Sequence, residues 1–204
     1  MLETLAKHFR VIVVWALLVG VTALLVSLLF PKQYSAESQV LIISRDRSGV
    51  DPYTQAKSAE RIGENLAGVM QTDDFYQKVL ESANATFDKE PWQKLSDRAR
   101  RNKWQKDVTS EMVYNTGLLK IVVYSDSKEN ARAFSTAVTE TVASRGWEYV
   151  GGDVALKAVN RPLVSNWQAR PNLVTNAAVG FLIGGMIASL WVVRYRKHSV
   201  FGRV

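Results

Sequence analysis

The 204-residue sequence contains no cysteine and only two histidines, His8 and His198, each close to one end. The long stretch between them therefore offers neither thiol nor imidazole, which excludes there the usual zinc ligand sets and the Ser-His or Cys-His nucleophiles. A cysteine-free chain is compatible with an exported domain that does without disulfides. The glycine-built motifs are missing as well: there is no G-x-x-x-x-G-K-[ST], no G-x-G-x-x-G and no G-x-S-x-G. Carboxylates alone can hydrolyse glycosides, but they must face each other across a cleft. The most tempting acids, Asp73 and Asp74, are helix neighbours that point about 100° apart, so a helix-dipole role is the better reading. These absences favour binding or scaffolding over catalysis, with no catalytic residue, metal or cofactor expected.

Charge is also missing from two long runs. Val11–Phe30 and Leu173–Val193 carry no ionisable side chain, and each is long enough at helical rise to cross a hydrocarbon core of roughly 30 Å. The first follows a short basic region, as a signal peptide would, yet exceeds the usual apolar length and lacks a small-x-small cleavage site in LFPKQYSAES, so an uncleaved anchor is expected. The net charge of +7 divides unevenly. Residues 1–10 contribute +1, the tail 194–204 contributes +4 and the middle, 31–172, only +2. Basic flanks place both termini in the cytoplasm by the positive-inside rule, with the middle outside. Because the excess charge sits at the membrane flanks, nucleic acid is not expected as a partner. Trp15 and Trp191, with Tyr34 and Trp167 on the far side, suit interfacial belts.

In the second run Asn172, Asn176, Gly180, Gly184 and Ala188 recur at every fourth position. They form one stripe, and Gly180-x-x-x-Gly184 is the small-residue pattern that admits a closely packed second helix. Its partner is either the first span, where Ala16, Gly20, Ala23 and Ser27 are small, or a neighbouring protomer. For the first span itself, a receiving face and a plain lipid-facing surface are equally open. Past the second run, Arg194, Arg196 and Lys197 make a stop-transfer anchor. With Tyr195 and Phe201 they also offer a candidate partner-contact tail.

The 142 residues of the middle suffice for one domain with its own core. Pro31 ends the first helix, and Gln33–Ser44 reads as a buried strand. RDRSGVDP is a turn, and helices follow over Tyr53–Met70 and after a Thr72 cap. Pro91 opens a third helix, Trp92 to about Lys106. Its Arg98, Arg100, Arg101, Lys103 and Trp104 suggest either a platform for an anionic polymer or lipid headgroups, or a solvated helix with docked tryptophans; the second is favoured. A hairpin is expected from Val108–Tyr114 and Leu118–Tyr124 about Asn115–Gly117. A helix capped by Asp126, with Glu129 at the third position, runs from Ser127 to about Trp147. Gly151–Gly152 breaks it, and Val154–Asn160 forms a last strand before Pro162. The fold class is α+β: one small sheet covered by helices on one face, between two transmembrane helices.

Taken together, these features resemble the Wzz-type polysaccharide co-polymerases, or chain-length determinants. The resemblance is carried by QYSAESQVLI after the first span, by SAERIGENLAGVMQTDDFYQKVL, and by NTGLLKIVVYSDSKENARAFSTAVTETV. Most specific is the approach to the second span. The family's prolines spaced by three survive here as the frame Pro162, Ser165, Gln168 and Pro171, only the outer two being proline, which weakens polyproline-like stiffness. PN-x-x-x-N-x-x-x-G-x-x-x-G then follows intact from Pro171 to Gly184. The resemblance implies an inner-membrane protein of a bacterium, homo-oligomeric rings, and control of the length or export of capsule, exopolysaccharide or O-antigen, without catalytic residues. The compact middle resembles the adaptors that activate a separate cytoplasmic tyrosine kinase. A plain regulator acting with a membrane polymerase is the alternative. A ligand-binding sensor on the same fold is a further one.

Overall fold

A computed structural model describes residues 5, 8–44, 52–82, 85–151 and 154–200, with side chains 44, 52 and 195–200 excepted. The turn expected after Ser44, Gly152 and Phe201 lie outside the described residues, apart from Pro52, which opens a helix. The chain divides into two units, one made of residues 1–32 and 170–204, the other Gln33–Ala169.

The first unit is a pair of apolar helices, α1 (Phe9–Ser27) and, at the other end of the chain, Leu173–Val200. Each is long and apolar enough to span a membrane. Most of their large side chains are exposed, Leu17, Leu18, Leu182 and Leu190 among them. The buried positions are Ala16, Gly20 and Ser27 on one helix and Gly180, Gly184, Ala188 and Val192 on the other. Apart from Val192, small residues thus occupy the seam and large ones the rim, the reverse of a soluble helix pair and the arrangement expected where lipid replaces water.

The second unit is α+β. In chain order it comprises β1 (Tyr34–Ser44), α2 (Pro52–Val69), α3 (Asp73–Glu81), α4 (Glu90–Gln93), α5 (Asp97–Asp107), β2 (Val108–Met112), β3 (Leu118–Ser125), α6 (Lys128–Arg145), α7 (Trp147–Val150), β4 (Val154–Ala158) and β5 (Leu163–Val164). The membrane-type helix Leu173–Val200 is then α8. All pairings are antiparallel and the order is β2-β3-β1-β4, with β5 also against β1. Register aligns Ala36, Ser38 and Val40 of β1 with Val123, Ile121 and Leu119 of β3. All six are fully buried. Their alternate neighbours are half-buried, so the helices cover a single face, as alternation along each strand predicts. At the hairpin tip Asn115 takes a left-handed φ of 56°. A Cβ on the following Gly117 would lie 2.7 Å from the Ile42 carbonyl oxygen, so only glycine lets the hairpin reach β1 there.

Two sequence expectations need correction. The helix expected over residues 92–106 is two: α4 ends at Gln93 and α5 starts at Asp97, because Ser96 is extended and restarts the helix. The cap of α6 is Ser127, whose hydroxyl accepts from Asn130 N at 3.1 Å, not Asp126. Asp126 instead accepts from Ser125 Oγ and Asn130 Nδ2, tying the strand end to the helix start. The segment before the second span, through Ala169, is held by hydrogen bonds within the second unit, in keeping with its weakened polyproline-like character. β5 pairs with Ala36 and Glu37, Ser165 N donates to Ser35 O, and Ala169 N donates to Gln33 O at 2.8 Å.

The core holds a cluster of Phe75, Tyr76, Phe87, Trp92, Trp104 and Phe134, with ring centres 4.6–6.4 Å apart in tilted or edge-on geometry. Trp104, 1% exposed, donates its indole N–H to Met70 O at 2.8 Å. Where α6 crosses β1, three buried hydroxyls close a chain. Ser135 donates to Ser38 at 3.1 Å, Ser38 to Thr139 at 2.5 Å, and Thr139 to the Ser135 carbonyl at 2.7 Å. With every donor used, burial carries no desolvation penalty for an unmade bond.

Candidate functional site

Two places concentrate specific geometry: the seam between the apolar helices, and a groove along α6.

In the seam, a Cβ on Gly180 would sit 2.7 Å from Ala23 Cβ and 3.1 Å from Val19 O. One on Gly184 would meet Val19 Cβ at 2.7 Å and Ala16 Cα at 3.1 Å. Both are closer than any side chain tolerates, so the backbones touch because these residues are glycine. Asn176 donates its amide to Ser27 Oγ at 2.8 Å, and Ser27 in turn donates to Ala23 O, so a polar side chain in the apolar stretch is satisfied across the seam. Of the two readings open for α1, the structure selects the receiving face, made by Ala16, Gly20, Ala23 and Ser27. Asn172 takes another role: exposed, it accepts from Thr175 N at 3.1 Å and caps α8. Ala188 continues the buried stripe at 5% exposure. Trp15 and Trp191 flank its far end around a lipophilic hollow of about 470 Å³.

The basic helix α5 is arranged differently from an open cationic platform. Trp104 is buried, Arg101 pairs with Asp73, Arg100 with Asp97, and Lys103 with Asp107 at 2.6 Å. Lys103 also lies 4.7 Å from the Trp92 ring centre and Arg100 5.4 Å from that of Tyr76, so these cations cover the aromatic cluster. Arg98 is exposed. The hydrogen bond from Arg101 holds the Asp73 carboxyl below its ordinary range. A second charged cluster joins α3 to α6 and α7. Lys78 reaches Glu148 at 2.6 Å and Asp74 at 3.2 Å, beneath the Tyr149 ring, whose hydroxyl donates to Asp74. The Tyr149 and Lys78 hydrogen bonds push Asp74 down. Lys78 and Arg145 do the same to Glu148, and Lys78 itself is pushed up, chiefly by Glu148.

The groove was not foreseen from the sequence. Opposite two residues of β1, Ser38 and Gln39, the edge chain between β4 and β5 places four, Val159 to Pro162. Such a bulge must lift off the sheet and turn its side chains elsewhere. It is pinned by Val159 N donating to Gln39 O and by Gln39 N donating to Asn160 Oδ1 at 2.9 Å. Between bulge and helix lies a cavity of about 790 Å³ lined by Arg132, Thr136, Thr139, Glu140, Asn160, Arg161 and Pro162. A second, of about 450 Å³, shares Arg132 and Thr136, continues along α6 to Lys128 and Glu129, and is also lined by Asn166 after β5. These groups come from segments some 30 residues apart, so no motif in the sequence marks them. Of the frame Pro162, Ser165, Gln168 and Pro171, the first two line the groove. Pro171 follows a cis peptide bond after Arg170. Arg194 is exposed near the end of α8, whose backbone continues through Tyr195, Arg196 and Lys197.

Residues 1–85 match the family described as Wzz, chain length determinant protein. The match spans α1, β1, α2 and α3, and supports the Wzz-type resemblance read from QYSAESQVLI and SAERIGENLAGVMQTDDFYQKVL. Beyond residue 85 the likeness to Wzz rests on the segments quoted from the sequence. The Wzz family implies regulation of chain length in polysaccharide biosynthesis, without catalysis, by membrane-associated oligomers. No curated protein matches the chain.

Proposed function

We propose that this protein is a non-catalytic scaffold of the bacterial inner membrane that sets the chain length of a surface polysaccharide. The observation that carries the reading is the Wzz match over residues 1–85. The glycine-packed helix pair supports it, being an anchor with a defined partner face rather than two independent spans. In this reading α1 and α8 cross the membrane, both termini are cytoplasmic, and 31–172 stands outside. Copies assemble into a homo-oligomer that works with the polysaccharide polymerase. The basic tail Arg194–Val204 would dock a separate tyrosine kinase, a role favoured by its cations and by the compact outer domain.

Deleting the gene and restoring it in the native host tests the central reading. Loss of the modal polymer length on gels, regained with the wild-type chain, is expected; an unaltered length distribution would overturn it. Replacing Ser199–Val204 by a neutral Gly/Ser stretch keeps Arg194, Arg196 and Lys197, and should leave insertion intact. It should also lower tyrosine phosphorylation of the co-expressed kinase. Unchanged phosphorylation with polymer length still under control would remove the kinase role alone.

A further inference from the structure

The bulge-and-helix groove has the dimensions and chemistry of a ligand site. Its larger cavity falls within the usual range for small-ligand pockets, roughly 300–1,000 Å³. The stretch of α6 beneath it, Lys128 to Glu140, extends the groove over roughly 18 Å at helical rise. That suits a linear ligand better than a compact one. Both walls are fixed: α6 is locked to β1 by the Ser38–Ser135–Thr139 hydroxyl chain, and the bulge by its two bonds to Gln39. A pre-formed site loses little affinity to ordering.

The lining chooses the ligand. Thr136 and Asn166 offer exchangeable hydroxyl and carboxamide groups, while Ala158, Val159 and Pro162 offer apolar surface beside them. That mixture suits a chain whose units carry hydroxyls on their edges and C–H groups on their faces. Arg132, common to both cavities, and Arg161 on the bulge form no ion pair among the described residues. An unpaired guanidinium presents a fork that fits a carboxylate with two parallel hydrogen bonds. Against Lys128, Arg132 and Arg161 stand Glu129 and Glu140, so the lining is only weakly positive. A densely charged polyanion would meet the two glutamates, whereas a chain with widely spaced carboxylates would not.

We propose that this groove binds an acidic glycan segment, with Arg132 and Arg161 as carboxylate anchors. The proposal rests on the polysaccharide reading above and gives it a contact surface. The full-length protein in nanodiscs of neutral lipid is titrated with a hyaluronate hexasaccharide, maltohexaose and a short polyphosphate. Saturable binding of the hexasaccharide is expected, stronger than that of either control. It should weaken about tenfold in Arg132→Gln and in Arg161→Gln, as for loss of one charge-assisted pair, and stay unchanged in Arg61→Gln, an exposed arginine outside the groove. Both arginines are exposed, so melting temperatures should match the wild type, and Arg132→Lys should recover only part of the binding. No hexasaccharide binding, equal binding of maltohexaose, or binding indifferent to both arginines would overturn the proposal. So would a groove variant that changes oligomer size without changing glycan binding, since the groove would then be a subunit contact. Polymer length in the deletion strain does not depend on these variants, so the glycan site can fail while the chain-length reading stands.

Discussion

Asp74, Lys78, Tyr149 and Glu148 make a charged cluster from residues that the sequence scatters over 75 positions. Each pair is at least partly exposed and contributes little by itself, but the depressed carboxylates give the cluster a pH signature. A group whose folded pKa lies below its unfolded one adds stability above the unfolded value, and that stability is lost as pH falls through the folded value. Asp73, Asp74 and Glu148 all shift in this direction. Thermal melts of the protein in detergent should therefore be flat from neutral pH to about 5 and fall below about 4, where free carboxyls protonate. The double variant Asp74→Asn, Glu148→Gln should start lower and decline less steeply; an identical acid slope would show that the cluster is not the cause. The same scale separates what was legible from what was not. Asp73 and Asp74 were readable as first-turn acids, because helix position is local. Their partners Arg101 and Tyr149 were not, because only tertiary packing brings α5 and α7 to α3.

Among elements, those with long apolar periods were readable: α1, α8, β1, β3 and α6 all follow from spacing that a single segment contains. The elements that were missed are short or conditional. β5 is two residues long and exists because β1 leaves an edge to pair with, so Leu163 and Val164 carry no period of their own. The break between α4 and α5 depends on Ser96 being extended, which a basic, well-patterned stretch hides. The seam of α1 and α8 was half legible: the stripe named the face, while the sequence left its partner open. A direct check uses the absence of cysteine. Ser27→Cys with Asn176→Cys, whose side chains hydrogen-bond in the wild type, should form an intramolecular disulfide under mild oxidation. Adding Gly184→Leu should cut the yield severalfold, because the branched side chain would need the space now held by Val19 and Ala16. Leu182→Ile, on an exposed face, should not. Equal yields in all three would mean that the glycines do not hold the pair together.

At the scale of the molecule, topology is the property on which the functional reading depends most. Single cysteines in place of Gly49 and Ser199 test it. In intact cells a membrane-impermeant thiol reagent should label the first and spare the second; reversed labelling would place the proposed glycan groove on the wrong side. The groove itself illustrates why function was less legible than fold. Its arginines lie on α6 and on a bulge defined by counting residues across a sheet, and neither count exists until the strands are paired. The Ala169 N–H donates to the Gln33 carbonyl, so the α+β unit begins and ends at the same point on its surface. A unit whose ends already touch can be cut out and spliced between other helix pairs without stretching either junction. On the proposed function, recombination would exchange the domain that meets the polymer while leaving the anchor unchanged, so the length standard and its mounting would evolve separately.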